Sequence, residues 1–186
     1  MNPILIFGLF AAGLGLVWAL LIYNQLVRLR QQVRESWSDI DVQLKRRHDL
    51  IPNLVSTVRG YAAHEQKVLA EVTRLRAVAV NASASPRGLS AAEAPLSAAL
   101  SSLFVVAENY PALKADAQFL ALQRELAETE DRVAAARRFF NANVRDFNSL
   151  CEQFPSSVVA GASGFVPKDF FELSDVSERV VPRVGP

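Results

Sequence analysis

The chain has 186 residues, with 20 Lys and Arg against 19 Asp and Glu, for a formal net charge of +1. That length fits one domain, or one domain plus an anchor. Near-neutrality argues against a dedicated nucleic-acid binder, and a 51% hydrophobic fraction argues against a disordered chain. The single cysteine, Cys151, leaves no internal disulfide and no thiolate-rich zinc site, which fits a reducing compartment.

The averages conceal a segregation along the chain. No charged residue precedes Arg28, and Ile4–Ile22 reads ILIFGLFAAGLGLVWALLI. At ~1.5 Å per helical residue, about 20 such residues cross a hydrocarbon core ~30 Å thick. A buried core helix would be shorter and would carry polar residues. A cleaved secretory signal would carry a basic n-region and a small-x-small cleavage site. Met1-Asn2-Pro3 supplies no cation, and Leu21-Ile22-Tyr23-Asn24 offers no such site. Residues 1–27 are therefore predicted to be an uncleaved anchor, with Tyr23 in the interfacial aromatic belt.

Six cations follow in residues 28–47, and none precedes the apolar run. By the positive-inside rule this places a short N-terminus outside and the C-terminal part in the cytoplasm. Arg28, Arg30 and Arg34 are the expected headgroup contacts. Residues 28–87 hold 11 basic and 6 acidic side chains, against 9 and 13 in residues 88–186. The basic part is suited to an anionic membrane surface or to pairing with the acidic part.

Beyond the anchor the period is helical. Leu26, Leu29, Val33, Trp37, Ile40 and Leu44 are spaced by 3 or 4 residues, the pattern of one buried helix face. No Gly or Pro lies between Gly15 and Pro52, so the anchor can run straight into the next helix. Pro52 either kinks that helix or sits in the first turn of a new one capped by Asp49. Gly60 is a second weak point. Ile51, Val55 and Val58, then Leu69, Val72 and Leu75, continue the stripe.

Residues 81–90 (NASASPRGLS) form the expected surface loop. Its Asn81-Ala82-Ser83 sequon reads as chance in a cytoplasmic loop. Ser90 and Glu93 have the spacing of a capping box, but Pro95 would then fall inside the helix, so the helix starts at Ser90 or at Pro95. It ends before Pro111. Asp116 is the expected cap of a long helix with the stripe Phe119, Leu122, Leu126, Thr129, Val133, Ala136, Phe140, Val144, Phe147 and Phe154. After Pro155 an irregular tail is expected to fold back through Phe165, Phe170 and Phe171, with residues 180–186 loose. No segment alternates with period 2 and no 20–50-residue repeat is visible. The predicted fold is all-α: an N-terminal transmembrane helix (1–27), an antiparallel bundle of long amphipathic helices (28–155) and a packed tail (156–186).

The search for chemistry returns little. There is no Walker loop, and Gly161-Ala162-Ser163-Gly164 is a turn rather than a nucleophile elbow. No Glu-x-x-His pair exists for a di-iron bundle site. His48 and His64 are expected as surface or hydrogen-bonded histidines. Lys45-Arg46-Arg47 reads as a solvated face paired with Asp39, Asp41 and Asp49, and Trp37 as core. Asn141, Arg145 and Asn148 line one side of the long helix, either as surface or as a device that fixes helix register.

One stretch is specific. Tyr23-Asn24, Leu26-Val27 and Leu29-Arg30 lead into WSDIDVQLKRRHDLIPNLV, residues 37–55, and then to Gly60-Tyr61-Ala62 with His64-Glu65. With YPALKA (110–115), TEDR (129–132), Ala136-Arg137-Arg138 with Asn141, and Phe147-Asn148 before Phe154-Pro155, the chain closely resembles the LemA family. The resemblance implies a bacterial inner-membrane protein with one N-terminal span and a long-helix bundle. It brings no enzymatic activity, ligand or cofactor to named residues.

The expected function is a non-catalytic, membrane-anchored scaffold without metal or cofactor. Its partners would be the bilayer and copies of itself or other membrane-associated proteins, with neither nucleic acid nor a small-molecule substrate. Trp37, Asp39, Asp41, Arg46, Arg47, Asp49, Asn53 and His64 form the candidate interaction motif. Unburied stripe favours assembly, and Gly8-x-x-x-Ala12 offers a small-residue contact in the membrane. The alternative is a regulatory or ligand-binding subunit with a bundle pocket lined by Asp39, Asp41, Asn53 and His64.

Overall fold

The computed structural model describes residues 3–82 and 85–172. Ser83 of the sequon and the expected loose end at 180–186 lie outside the described residues. Six helices follow in order: α1 (Pro3–Tyr61), α2 (Gln66–Val80), α3 (Pro86–Ala107), α4 (Pro111–Lys114), α5 (Ala117–Glu152) and α6 (Ser156–Ala162). There is no strand among the described residues. The all-α prediction holds: an apolar N-terminal helix long enough to span a membrane leads into helical bundle packing.

The chain divides into two compact units. The first combines residues up to Asp39 with Arg138–Asp169. Here the α1 stripe (Leu26, Val33) and α5 residues Val144, Phe147 and Cys151 are buried. Trp37 packs on Phe140 with ring centroids 5.4 Å apart, as its place on the stripe predicts. Phe165 folds back between Tyr23 (5.8 Å) and Phe147 (6.2 Å). The Asn148 amide secures this return by donating to the Lys168 carbonyl (2.9 Å) and accepting from the Lys168 N–H (2.8 Å). Ahead of Tyr23 no described side chain of α1 is buried: Ile22 is half-buried, and the large apolar side chains exposed before it range from 38% (Trp18) to 76% (Ile4). Each would gain ~1.5–3 kcal/mol on leaving water.

The second unit holds residues 40–137 and the chain from Phe170. Its core gathers Ile51, Leu54 and Val58 of α1, Leu69 and Val72 of α2, Leu96, Leu100 and Leu103 of α3, and Phe119, Leu122 and Leu126 of α5. Phe171 is buried, and the Ser90 hydroxyl donates to the Glu172 carbonyl. Asp116 caps α5 through the Phe119 N–H (2.8 Å), as expected.

Pro52 lies inside α1, so of the two alternatives the fresh helix capped by Asp49 does not hold. Two further expectations are corrected. Helix α3 begins at Pro86, not at Ser90 or Pro95, because Ser85 is its N-cap, accepting from the Gly88 N–H (3.1 Å) with Pro86 in the first turn. The loop is correspondingly shorter, and Pro95 sits within α3 on its exposed side. Phe154 leaves the long stripe, lying beyond the end of α5 with its side chain 85% exposed.

Candidate functional site

The least expected feature is an arginine at the centre of the second unit. Arg47 retains only 2% of its exposure. Taking a guanidinium out of water costs several kcal/mol unless it is partnered, and two other helices, α3 and α5, supply the partners. From α3, Glu93 Oε2 accepts from Nη1 and the Ser97 hydroxyl accepts from Nη2, both at 2.7 Å. From α5, Glu130 Oε1 lies 2.7 Å from Nε; the N–H is not aligned with it, so this contact is an ion pair rather than a hydrogen bond. The second oxygen of Glu93 meets His48 Nε2 at 2.7 Å. Glu93 is thus bridged between two neighbours on α1 and is itself buried.

The same place explains the tolerated proline. Pro52 has no N–H to offer the carbonyl four residues earlier, which belongs to His48. Arg76 of α2 supplies the missing donor, its Nε donating to that carbonyl at 2.6 Å. At the rim, Arg46 pairs with Glu125 (2.8 Å), both side chains substantially exposed.

Burial raises the Glu130 carboxyl above the ordinary carboxylate range; Arg47 opposes this, while Glu93 and Asp131 add to it. The native state therefore holds the Glu130 proton to higher pH than the unfolded chain does. Its stabilising contribution is complete below the unfolded pKa and is lost as pH rises through the raised native one. Asp116 has the opposite sign. The Phe119 N–H and then the Tyr61 hydroxyl hold its carboxyl low, so its contribution exists above the unfolded pKa and disappears as pH falls through the native one. Acidification from neutrality is expected to raise the Tm of the unaltered chain relative to a Glu130→Gln variant. Parallel Tm–pH curves would refute that assignment.

Two grooves open to solvent flank the cluster. One, of about 440 Å³ between α3 and α5, includes Ser97, Phe104, Gln123 and Glu130. The other, of about 280 Å³ between α1 and α2, includes Pro52, Arg59, Thr73 and Arg76. Neither groove is lined by Glu93 or His48. Both oxygens of Glu93 are engaged within the protein, while Ser97 and Glu130 carry the edge of the cluster to the first groove.

The predicted site residues separate accordingly. Arg47 is not on a solvated face, because Glu93 and Glu130, not Asp39, Asp41 or Asp49, satisfy it. Arg46 is exposed but pairs across to α5. Asp39, Asp41, Asp49, Asn53 and His64 are all exposed, and none lines either of these grooves. Among the membrane-proximal residues, Arg28 and Arg34 are exposed, while the Arg30 guanidinium lies 5.0 Å from the centre of the Phe165 ring. Asn148 holds the tail, and Asn143, one turn from it and not singled out, reaches the Gln32 carbonyl at 3.5 Å.

Sequence reasoning missed Glu93, Ser97, Glu130 and Arg76. The signal lay in phase. Leu44, Arg47/His48 and Ile51 continue the buried spacing of α1, and Ser90, Glu93, Leu96 and Leu100 do the same in α3.

Several known proteins resemble this chain in sequence. The chain is 23% identical over 177 residues to magnetosome protein MamQ of Magnetospirillum gryphiswaldense and 24% over 178 to MamQ 2 of Paramagnetospirillum magneticum. Each alignment covers 82% of this chain and 65% of the relative, so the chain spans under two thirds of those proteins. It is 28% identical over 160 residues to protein LemA of Metamycoplasma hominis, covering 84% of this chain and 71% of that one. The family model described as the LemA family matches residues 36–185, a stretch that begins just before the Trp37 motif and contains the whole Arg47 cluster. On that match the chain belongs to the LemA family.

Proposed function

We propose that the protein is a membrane-anchored, non-catalytic scaffold. Its N-terminal helix crosses a bacterial inner membrane, its N-terminus faces outward, and its bundle works at the cytoplasmic face with copies of itself or other membrane-associated proteins. The observation that carries this reading is the bare apolar circumference of α1 ahead of Tyr23. A core helix buries at least one face, and no described side chain of this segment is buried. The cations Arg28, Arg30 and Arg34 directly after it support the orientation. The Arg47 cluster supports the non-catalytic part, since both oxygens of Glu93 are engaged by Arg47 and His48.

Two measurements test the reading. The full chain should stay in the membrane pellet through an alkaline carbonate wash, and deleting residues 1–27 should move it to the supernatant with its helical circular-dichroism signal kept. In intact cells, a membrane-impermeant maleimide should label Asn2→Cys, and Lys45→Cys only after permeabilisation. A full chain released by carbonate, or the reverse labelling pattern, would overturn the anchor or the orientation respectively. Crosslinking in native membranes followed by mass spectrometry then identifies what the scaffold holds.

A further inference from the structure

The first unit carries an apolar corner that its own core does not use. Three observations place it. First, the pairing of α1 with α5 fixes a level. Trp37 packs on Phe140, and nearer the N-terminus the Gln32 carbonyl faces the Asn143 amide. The two helices run antiparallel with equal rise, so each step back along α1 matches one step forward along α5. Extending this register brings Phe154 about level with Ile22, the last residue of the charge-free apolar run. The contact of Phe165 with Tyr23 brings the returning chain to the same level.

Second, the corner faces outward. Phe154 is 85% exposed, more than any other large hydrophobic side chain described. In α6, Ser156 and Ala160 turn inward, leaving Val158 63% exposed on the opposite side; Val166 is 60% exposed. Third, residues 153–167 contain no charged side chain, although charged residues, Glu152 and Lys168, stand immediately on either side. Singly exposed apolar residues are ordinary on a soluble surface. An uncharged corner that points three of them outward at the end of an apolar helix is the composition of an interfacial element.

We propose that the α5–α6 corner, through Phe154, Val158 and Val166, enters the headgroup–acyl boundary of the bilayer and forms a second membrane contact beside α1. Lipid is the occupant because the corner carries no charge and lies at the level where the exposed apolar surface of α1 ends. The inference rests on the reading of α1 as a membrane span.

Single-cysteine variants of the full chain in a Cys151→Ala background test it, each labelled with an environment-sensitive fluorophore. They are reconstituted in phosphatidylethanolamine–phosphatidylglycerol bilayers containing a lipid with a nitroxide near the glycerol end of its acyl chain. Phe154→Cys, Val158→Cys and Val166→Cys should lose emission to the nitroxide. Leu21→Cys should do so as well, and Arg145→Cys, exposed on α5 several turns from the corner, should not. If Leu21→Cys is quenched and the three corner labels are not, the second contact is wrong and the anchor stands. If Leu21→Cys is also unquenched, the span reading fails and the corner contact fails with it. Corner labels that shift to the blue without quenching would show that protein covers the corner, which likewise overturns the proposal.

Discussion

Glu93→Ala is expected to lower the unfolding free energy by about 3 kcal/mol or more, read as a fall in the urea midpoint. The change removes the carboxylate that satisfies both Arg47 and His48 and leaves a buried guanidinium with only Ser97 and the half-exposed Glu130. A control separates charge from volume. Replacing the pair together, Arg47→Met with Glu93→Leu, should recover a large part of the loss, because well-packed apolar residues often substitute for a buried ion pair at little cost. A Glu93→Ala midpoint close to that of the unaltered chain would show that water reaches Arg47 and would undo the account of the cluster.

The second large effect concerns Pro52. Arg76→Leu should cost roughly 2 kcal/mol, since it takes a charged donor from the His48 carbonyl where the helix itself cannot provide one. Pro52→Ala restores the backbone N–H and removes a residue that disfavours a helix interior by ~3 kcal/mol relative to Ala. In the unaltered background part of that gain is already supplied by Arg76, which loses its acceptor to the new N–H. Pro52→Ala should therefore stabilise the Arg76→Leu chain by more than it stabilises the parent. Equal gains in a double-mutant cycle of urea midpoints would show that the two donors do not share one carbonyl.

Both cases mark where sequence reading stops. The helices and their buried faces were legible because apolar spacing of 3 and 4 is a local signal; the long stripe from Phe119 to Phe147 emerged as α5. Trp37, Asp116 and the return of Phe165 also followed from local pattern. What failed was polar chemistry whose partner is distant in sequence. Ser90 and Glu93 have a capping-box spacing, yet Glu93 turns inward to an arginine 46 residues away. Ser85, not Ser90, caps α3. Arg47 looked solvated because charged residues surround it in sequence, although its phase between Leu44 and Ile51 is that of the core. Pro52 is ambiguous to any local rule because its compensation comes from another helix. Of the candidate interaction motif, Arg47 belongs to the buried centre, Trp37 packs on Phe140, and Asp39, Asp41, Arg46, Asp49, Asn53 and His64 are exposed.

The greasy stripes of α1 and α5 recur every three or four residues, so a slide of one helix by two turns would still set mostly apolar side chains against one another. The cations are not so forgiving. Arg46 and Arg47 reach Glu125 and Glu130 on α5, five positions apart, while Arg47 also demands Glu93 and Ser97. A slipped alignment would strand Arg47 in an apolar interior and forfeit several kcal/mol. These few polar atoms therefore proofread an assembly whose oily surfaces alone would accept many answers.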